Sequence, residues 1–304
     1  MPCYHPILMK QLSRVNSKGN HSIVSYMHPA PGKAIKLPCG RCHGCRLERA
    51  RQWAVRCCNE MDMWRRNSFV TLTYADDALT FGGADHGILV PRDLTLFWKR
   101  LRRSGVTFRY FAAGEYGELY SRPHYHAIIF GHDFPDKRYA NTKDGNHYYR
   151  SDSLNRIWGH GDCVIGDATF ESASYVARYL MKKQLGPGAK DYYAERGITP
   201  EFVVMSRRPG IGSEFYDRYE SDIFPRDSMI SRNREVTPPR FYTERYKERS
   251  KSLLVTDVHP MDVEDMIQRR IERADKKWQD NEPRRLRVRE RIKLSATKNL
   301  RRTL

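Results

Sequence analysis

Apolar residues recur along this chain at two spacings, and each spacing predicts one type of secondary structure. In residues 47–66 they return every three or four positions, which predicts a helix with one buried face and an arginine-rich opposite face. Residues 68–74 are rich in β-branched and aromatic side chains, which predicts a strand. Residues 91–103 predict an amphipathic helix with proline in its first turn. The same criteria predict strands at 106–116, 125–130, 162–166 and 201–205, and helices at 153–158 and 173–184.

These elements do not alternate as regular β-α-β units, so the fold class predicted is α+β, with a mainly antiparallel sheet flanked by helices. Residues 1–38 and 131–150 show no clear period and are expected to be irregular. We therefore expect three segments. Residues 1–66 form a cysteine-rich module that ends in the arginine-rich helix, and residues 67–215 form a sheet domain. Residues 216–304 form a basic C-terminal region that is helical or partly disordered.

The net charge of the chain indicates which class of molecule it binds. The 304 residues include 54 Lys and Arg against 36 Asp and Glu, a net charge of +18 with a pI near 9.7. A positive field of this size attracts polyanions and is typical of nucleic-acid-binding proteins. The alternatives are a basic protein that is merely soluble and a protein that binds anionic membranes. Residues 284–304 carry nine basic side chains and one acidic one, so we expect a phosphate-contacting arm there.

The location expected from the sequence is the cytoplasm. The first ten residues lack the basic and then apolar layout of a signal peptide, and no apolar run approaches the length of a membrane span. In a reducing compartment, the seven cysteines are expected to be thiols or metal ligands rather than disulfides.

Three cysteines are spaced as in metal-binding turns, at Cys39, Cys42 and Cys45. Structural zinc needs four ligands, and we expect Cys57 to be the fourth, with Cys58 and Cys3 as alternatives. An iron–sulfur cluster is disfavoured because the bacterial ferredoxin pattern needs another cysteine where Arg49 stands. Reduced thiols in a glycine-rich turn are the other interpretation.

Two histidines lie close together in the sequence. His126 is in the predicted strand at 125–130, and His124 lies just before it. Alternate strand residues share a face, so both imidazoles point the same way. Glu115 lies on the preceding predicted strand, and an antiparallel partner brings its carboxylate beside them, with Glu118 as the alternative. Two imidazoles and one carboxylate bind a divalent metal and leave positions open for phosphate and water. The other interpretation is that these are ordinary surface or core histidines.

Two tyrosines, Tyr175 and Tyr179, are one turn apart on a predicted helix and share a face. A phenol is a poor nucleophile at neutral pH unless positive charge favours the phenolate. Lys182 and Lys183 follow on the same helix and are expected to supply that charge. Alternatively, the tyrosine rings simply pack in the core.

The order of these motifs resembles that of the HUH endonucleases. His124-Tyr125-His126 matches their histidine–hydrophobic–histidine motif, residues 69–74 resemble their first strand motif, and residues 175–182 resemble the two-tyrosine helix of rolling-circle initiators. Together with the segments 39–45 and 205–212, the chain is most similar to replication initiators of gokushovirus-type microviruses. The resemblance covers residues 39–212.

The resemblance implies an HUH-type domain at 67–215 that nicks single-stranded DNA at an origin. His124, His126 and Glu115 would hold Mg²⁺ or Mn²⁺, and one tyrosine would form a 5′-phosphotyrosyl link that leaves a free 3′-hydroxyl as primer. The second tyrosine would cut the regenerated origin so that the ends are rejoined. Partners would be single-stranded DNA, origin duplex DNA, and a host helicase and polymerase, because the chain has no Walker loop of its own.

Two other functions fit part of the sequence. A non-catalytic, zinc-dependent nucleic-acid-binding or packaging protein would explain the charge and the cysteines. A metal nuclease that uses activated water would explain the histidines and leave the tyrosines structural. Only covalent attachment of DNA to a tyrosine separates the nicking reaction from both.

Overall fold

The computed structural model describes residues 3–15, 21–82, 86–117, 120–179, 188–224, 226–251, 260–276 and 281–298. The chain forms two compact units. The smaller unit combines residues 1–49 with 271–301, and the larger one holds residues 50–270. In the described parts, no helix is both long and apolar enough to cross a lipid bilayer.

A seven-stranded sheet is the centre of the larger unit. Its strands, in chain order, are β4 (Asn67–Thr73), β5 (Arg109–Tyr116), β6 (Pro123–Phe130), β7 (Arg138–Lys143), β8 (Asn146–Arg150), β9 (Cys163–Gly166) and β10 (Phe202–Met205). Their order across the sheet is β10-β5-β6-β4-β9-β8-β7, and every neighbouring pair is antiparallel. The predicted α+β class with an antiparallel sheet is therefore confirmed.

Helices cover both faces of this sheet. The second half of α1 (His43–Met61) and α4 (Phe170–Arg178) pack on one face, and α2 (Pro91–Arg103) and α3 (Asp152–Trp158) pack on the other. The described residues also form α5 (Ala189–Glu195), α6 (Ser213–Ile223), α7 (Arg240–Lys251) and α8 (Pro260–Asp275). The bounds of α2 are the predicted ones, because its proline and its apolar stripe mark both ends.

Strict alternation sends the side chains of β6 to two different cores. Tyr125, Ala127 and Ile129 face the core that also contains α2 and α3. Ile128 and Phe130 face the opposite core, which contains the second half of α1 together with α4. Because side chains alternate across a strand, His124 and His126 lie on the α1 and α4 face.

The polar segment at 131–150, expected to be a loop, contains the β7–β8 hairpin instead. Asp144 and Gly145 connect the two strands, with φ of 52° and 79°. Two successive positive φ angles are those of a type I′ turn, for which Asp-Gly is a preferred sequence. The prediction was wrong because the strands are polar and exposed, so only the turn residues signalled the hairpin.

Residues after 215 belong in part to the larger unit. Tyr216 and Ile223 of α6, Tyr242 and Tyr246 of α7, and Met266 of α8 form a third core with Val55 of α1. This part of the C-terminal region is therefore helical and packed.

The smaller unit contains a three-stranded antiparallel sheet. Its strands are β1 (Ile7–Val15), β2 (His21–Ser25) and β3 (Lys33–Leu37), in the order β2-β1-β3. The expectation that residues 1–38 are irregular was wrong, because these strands bury few side chains and therefore lack a clear hydrophobic period. The helix α9 (Pro283–Lys298) belongs to the same unit, and part of the predicted basic arm, residues 284–298, is therefore helical.

The two units divide the chain at residues 49 and 270, and the first boundary falls inside α1. The three segments expected from the sequence divide it at 66 and 215. The division at 66 and 215 separates segments by their expected roles, and it stays a prediction.

Candidate functional site

Neighbouring strands β5 and β6 place three metal-binding side chains together. In the register of the two strands Glu115 lies opposite His124, and His126 lies opposite Ala113. Gly117 N donates to Arg122 O over 2.9 Å close to the point where the two strands join. The antiparallel register therefore brings the carboxylate of β5 beside both imidazoles of β6, as the sequence predicts.

The ligand atoms of this triad converge. Glu115 Oε1 lies 2.9 Å from His124 Nε2 and 3.2 Å from His126 Nε2. Glu115 and His126 are buried, at 2% and 3% exposure, and His124 is half-buried. The three ligand atoms lie within 4.8 Å of one another, which is the spacing of a set that can hold one metal ion. Glu118, the alternative carboxylate, lies outside the described residues.

The imidazoles also determine the charge of Glu115. Burial alone would raise the pKa of Glu115, but hydrogen bonds to His124 and His126, and any positive charge they carry, outweigh it. The net effect holds the pKa of Glu115 well below its usual range, so the group is a carboxylate. An anionic oxygen facing two ring nitrogens is a donor set suited to a divalent cation.

Outer contacts fix the orientation of both rings. His124 Nδ1 lies 3.1 Å from Arg122 O and must donate to it, because a carbonyl only accepts. His126 Nδ1 lies 3.0 Å from the hydroxyl of Thr71, its partner on β4. Phe69 stacks on the His126 ring with the centroids 5.7 Å apart. In each histidine the outer nitrogen is engaged, so Nε2 is directed to the metal-binding position.

Helix α4 carries the tyrosines to the same place. Its first turn is closed by a capping box, in which Thr169 N donates to Ser172 Oγ over 2.7 Å and Ser172 N donates to Thr169 Oγ1 over 3.2 Å. Tyr175 lies on α4, and Tyr179 is the residue that caps its C-terminal end. The cap sets the helix register, and that register directs Tyr175 towards β6.

Both phenols contact His126. Tyr175 Oη lies 3.5 Å from His126 Nε2, and the two rings are 5.0 Å apart, edge to face. The Tyr179 ring stacks on His126 at 5.4 Å with an interplanar angle of 4°. The two tyrosine rings are themselves 5.0 Å apart. Five of the seven residues predicted for this site, Glu115, the two histidines and the two tyrosines, are thus brought together.

The environment of Tyr179 favours the neutral phenol. Burial, followed by the negative charge of Glu115, raises the pKa of Tyr179 far above its usual range. Arg178 lies 5.6 Å from the centre of the Tyr175 ring and adds a positive charge there. Lys182 and Lys183, expected to assist the phenolate, lie outside the described residues.

A second group of metal-binding side chains lies in the smaller unit. It consists of the thiols of Cys3, Cys39, Cys42 and Cys45, with all four sulfur atoms within 4.8 Å of one another. Backbone N–H groups point at the sulfurs: Cys39 N donates to Cys3 Sγ over 3.2 Å, and Tyr4 N donates to Cys42 Sγ over 3.4 Å. Burial opposes ionisation of Cys42, but hydrogen bonds from the backbone N–H groups of Cys45 and Tyr4, and from the thiols of Cys45 and Cys39, lower its pKa to about 6.

The fourth thiol of this group is Cys3, not Cys57 as expected. Cys57 is fully buried in the core beneath the sheet, with Ala54 and Phe69. Its burial raises the pKa of the thiol well above the usual range, so it is unsuited to bind metal as a thiolate. Sequence spacing favoured Cys57 because it is nearer along the chain, whereas pairing of β1 with β3 brings Cys3 to the turn that holds the other cysteines.

Sequence reasoning also missed the residues that hold the histidines. Thr71 and the carbonyl of Arg122 contact the outer ring nitrogens, and neither residue type is distinctive in a sequence. Thr71 could have been found from the strand pattern, because it lies two residues after Phe69 and so on the same face of the strand at 69–74, which resembles a family motif.

Comparison with known proteins places the chain in a family. A family model described as replication-associated protein ORF2/G2P matches residues 67–184. The chain is 33% identical to replication-associated protein ORF2 of Spiroplasma virus 4 over 82% of its own length and 80% of that protein. It is 35% identical to replication-associated protein VP4 of Bdellovibrio phage phiMH2K over 71% of its length and 69% of that protein.

The chain belongs to the family of phage replication-associated proteins. A third relative, replication-associated protein ORF4 of Chlamydia phage 1, is 31% identical over 57% of this chain and 43% of that protein. The recognition made from the motifs, a microvirus-like replication protein, is confirmed.

The part of this replication-associated protein that matches the family model begins at β4 and includes all of α4. That stretch contains every member of the group formed by Glu115, the two histidines and the two tyrosines. The four thiols lie outside it. No solved structure matches the chain.

Proposed function

We propose that this protein is a rolling-circle replication initiator whose sheet domain is of the HUH type. It nicks single-stranded DNA at an origin, keeps the 5′ end on a tyrosine, and rejoins the ends after one round. The family membership supports a role in phage replication. The observation that carries the chemistry is the contact of Tyr175 with the metal-binding triad, with Oη 3.5 Å from His126 Nε2.

The reaction is a transesterification at phosphorus. The hydroxyl oxygen of one tyrosine attacks the scissile phosphate, a new P–O bond forms to that oxygen, and the bond from phosphorus to the 3′-oxygen breaks. The phenol loses its proton to water or a neighbouring base, and the leaving 3′-oxygen takes up one, so no net proton is consumed. The products are a 5′-phosphotyrosyl link and a free 3′-hydroxyl that primes synthesis.

Glu115, His124 and His126 fit a hard or borderline divalent ion, and we propose that they hold Mg²⁺ or Mn²⁺. When bound, such an ion acts as a Lewis acid on a phosphate oxygen. The two imidazoles favour Mn²⁺ over Mg²⁺, since Mg²⁺ prefers oxygen ligands alone. The protein contributes the orientation of the ring nitrogens and the burial of Glu115 and His126.

Two tyrosines suit a reaction that must run twice. The rings of Tyr175 and Tyr179 both contact His126, which supports a reaction in which either hydroxyl acts at the same phosphate position. The second cuts the regenerated origin, and the released 3′-hydroxyl attacks the first phosphotyrosyl link and closes the circle. The raised pKa of Tyr179 means that its proton must leave as the bond to phosphorus forms. Lys182 and Lys183 are proposed to offset the negative charge that develops.

For the four thiols we propose a structural Zn²⁺ ion. Four sulfur ligands in a closed set are the donors that tetrahedral zinc prefers, and the N–H donors around them offset thiolate charge. The partners proposed are single-stranded DNA and origin duplex DNA, with a host helicase and polymerase, in the cytoplasm of the bacterial host.

The decisive experiment is to trap the covalent product. The protein is incubated with Mn²⁺ and single-stranded oligonucleotides that tile the genome encoding it, and adducts are mapped by mass spectrometry. We expect a phosphotyrosyl adduct on Tyr175 or Tyr179 with one origin oligonucleotide. Tyr175→Phe and Tyr179→Phe should each shift the adduct to the remaining tyrosine, and the double variant should form none. Tyr139→Phe, at an exposed tyrosine of β7, is the matched control.

The other functions give different products. Cleavage without an adduct would identify a nuclease that uses activated water. Binding without cleavage by any oligonucleotide would identify a non-catalytic zinc-dependent nucleic-acid-binding or packaging protein. Either result overturns the tyrosine mechanism.

A further inference from the structure

The positive charge of this protein is concentrated in its smaller unit. Residues 1–49 and 271–301 contain 19 Lys and Arg against 6 Asp and Glu, a net charge of +13 in 80 residues. The whole chain carries +18, so about a quarter of the residues supplies most of the net charge. The residues proposed for nicking belong to the other unit, so most of the net charge lies on residues outside that group.

The helix α9 is held in this unit by its inner face. Leu286 is 3% exposed. Glu290 pairs with His5 over 2.8 Å, and the hydroxyl of Thr297 lies 3.1 Å from His43 Nε2. His5 and His43 follow closely after Cys3 and Cys42, so the inner face of α9 is tied to the segments that carry the four thiols.

The outer face of α9 combines basic and apolar side chains. Arg284, Arg287 and Arg291 are exposed at spacings of three and four, which places them on one side of the helix. Val288 and Ile292 lie beside them, 45% and 64% exposed. The outer face therefore presents three basic and two apolar side chains on one exposed arc of the helix.

We propose that this face of α9 docks into the major groove of duplex DNA. An α-helix with its side chains is about 10–12 Å wide, and the major groove of about 12 Å admits one. Arginines pair with phosphates or with guanine edges, and apolar side chains contact thymine methyl groups. This inference rests on the proposed replication function and names the surface that binds the origin duplex.

Duplex DNA fits this face better than a membrane surface does. A helix that lies in a bilayer interface separates a broad apolar face from a charged one. On α9 the three arginines and the two apolar residues share the same exposed arc, so burial of Val288 in hydrocarbon would draw Arg284 and Arg291 with it. A groove lined by phosphates, with base edges at its floor, accommodates both kinds of side chain.

The test compares two double charge reversals in the full-length protein. Arg287→Glu/Arg291→Glu alters the outer face of α9, and Lys99→Glu/Arg103→Glu makes the same change in charge and spacing on the exposed side of α2. Binding of each protein to an origin duplex is measured by fluorescence anisotropy over a range of salt concentrations. Adduct formation on a short single-stranded origin oligonucleotide is measured in parallel.

We expect the α9 variant to bind duplex at least about 100-fold more weakly, about tenfold for each arginine, and to lose about 2 from the slope of log affinity against log salt. Its adduct formation on single strands should equal that of the parent protein. The α2 variant should keep its affinity for duplex within about threefold of the parent value and its salt slope within about 0.5 of the parent slope.

Three results would overturn the proposal: an α9 variant that binds duplex as tightly as the parent, an equal loss in the α2 variant, or a parent protein that binds phosphatidylserine vesicles more tightly than duplex. Failure of the nicking proposal has a separate readout, because the parent would then form no adduct while the duplex measurements still stand.

Discussion

At the scale of single residues, the geometry of the candidate site depends on contacts to the outer nitrogens of its histidines. His126 is held by the hydroxyl of Thr71 on one side and faces Glu115 on the other. Phe69 and Tyr179 stack on its ring. A ring held from this many directions loses little rotational freedom on binding metal, so Thr71 acts as a positioning residue for His126.

Replacement of Thr71 tests this role. Thr71→Val removes the hydroxyl at nearly constant volume, and we expect the affinity for Mn²⁺ to fall by about 10- to 100-fold, as is usual for outer-shell contacts. Thr71→Ser keeps a hydroxyl and should restore the affinity. Electron paramagnetic resonance of free Mn²⁺ gives the dissociation constants, and circular dichroism confirms that the variants are folded.

Thr95→Val is the control, because the Thr95 hydroxyl donates within α2, to Pro91 O. Parent-like Mn²⁺ affinity in Thr71→Val would show that the hydroxyl does not orient His126.

At the scale of elements, a buried carboxylate connects α1 to the sheet and to the loop after β10. Glu60 is 2% exposed and accepts hydrogen bonds from Gly212 N over 2.6 Å and from Trp64 Nε1 over 3.0 Å. Arg109 Nε of β5 lies 2.9 Å away as its ion-pair partner. Gly212 has a φ of +77°, and a Cβ there would lie 2.5 Å from the hydroxyl of Tyr242, so only glycine allows this approach.

Truncation of this carboxylate should be costly. Glu60→Ala leaves Arg109 and the Gly212 amide without their buried partner, and we expect the free energy of unfolding of the larger unit to fall by about 3–5 kcal/mol. Urea denaturation monitored by tryptophan fluorescence measures it.

The comparison for this variant is Glu214→Ala, which breaks an exposed ion pair with Arg218 one turn away on α6. That change should cost less than about 0.5 kcal/mol. Similar losses in both variants would mean that Glu60 does not have the role assigned here.

At the scale of the whole molecule, the chain forms two compact units that differ in how much apolar core they contain. The larger unit carries the three cores and the candidate active site, and its stability comes from buried apolar surface. The strands of the smaller unit are mostly exposed or half-buried, so this unit has little apolar core. A unit of this kind is commonly stabilised by a metal ion.

Removal of zinc should therefore affect one unit and spare the other. We expect the purified protein to contain about one zinc per chain by mass spectrometry of metals, and Cys3→Ser to contain essentially none. After treatment with a zinc chelator, limited proteolysis should cut within residues 1–49 while residues 50–270 stay resistant.

Cys57→Ala is the matched variant, since its thiol lies in the core of the sheet unit. It should keep its zinc and show lower stability of the larger unit. The zinc assignment to Cys3 fails if the loss of metal follows Cys57→Ala instead.

How far the sequence predicts this fold differs from element to element. Helix α2 and strands β4, β9 and β10 lie within one or two residues of the predicted bounds, because strong periodicity and terminal residues mark them. The β7–β8 hairpin and the sheet β1 to β3 were missed, because exposed polar strands carry no hydrophobic alternation.

The sequence by itself determined the chemistry that this protein has available: two histidines on one strand face, two tyrosines one helical turn apart, clustered cysteines and a large positive charge. These follow from local periodicity and composition. The place of Glu115 on the preceding strand already predicted that it lies beside the histidines, and the strand register sets it opposite His124. Only the tertiary structure decided which cysteine completes the thiol group, because pairing of β1 with β3 brought Cys3 rather than Cys57 to the other thiols. Contacts between residues far apart in the chain depend on how strands pair and cores pack, and no local pattern encodes that.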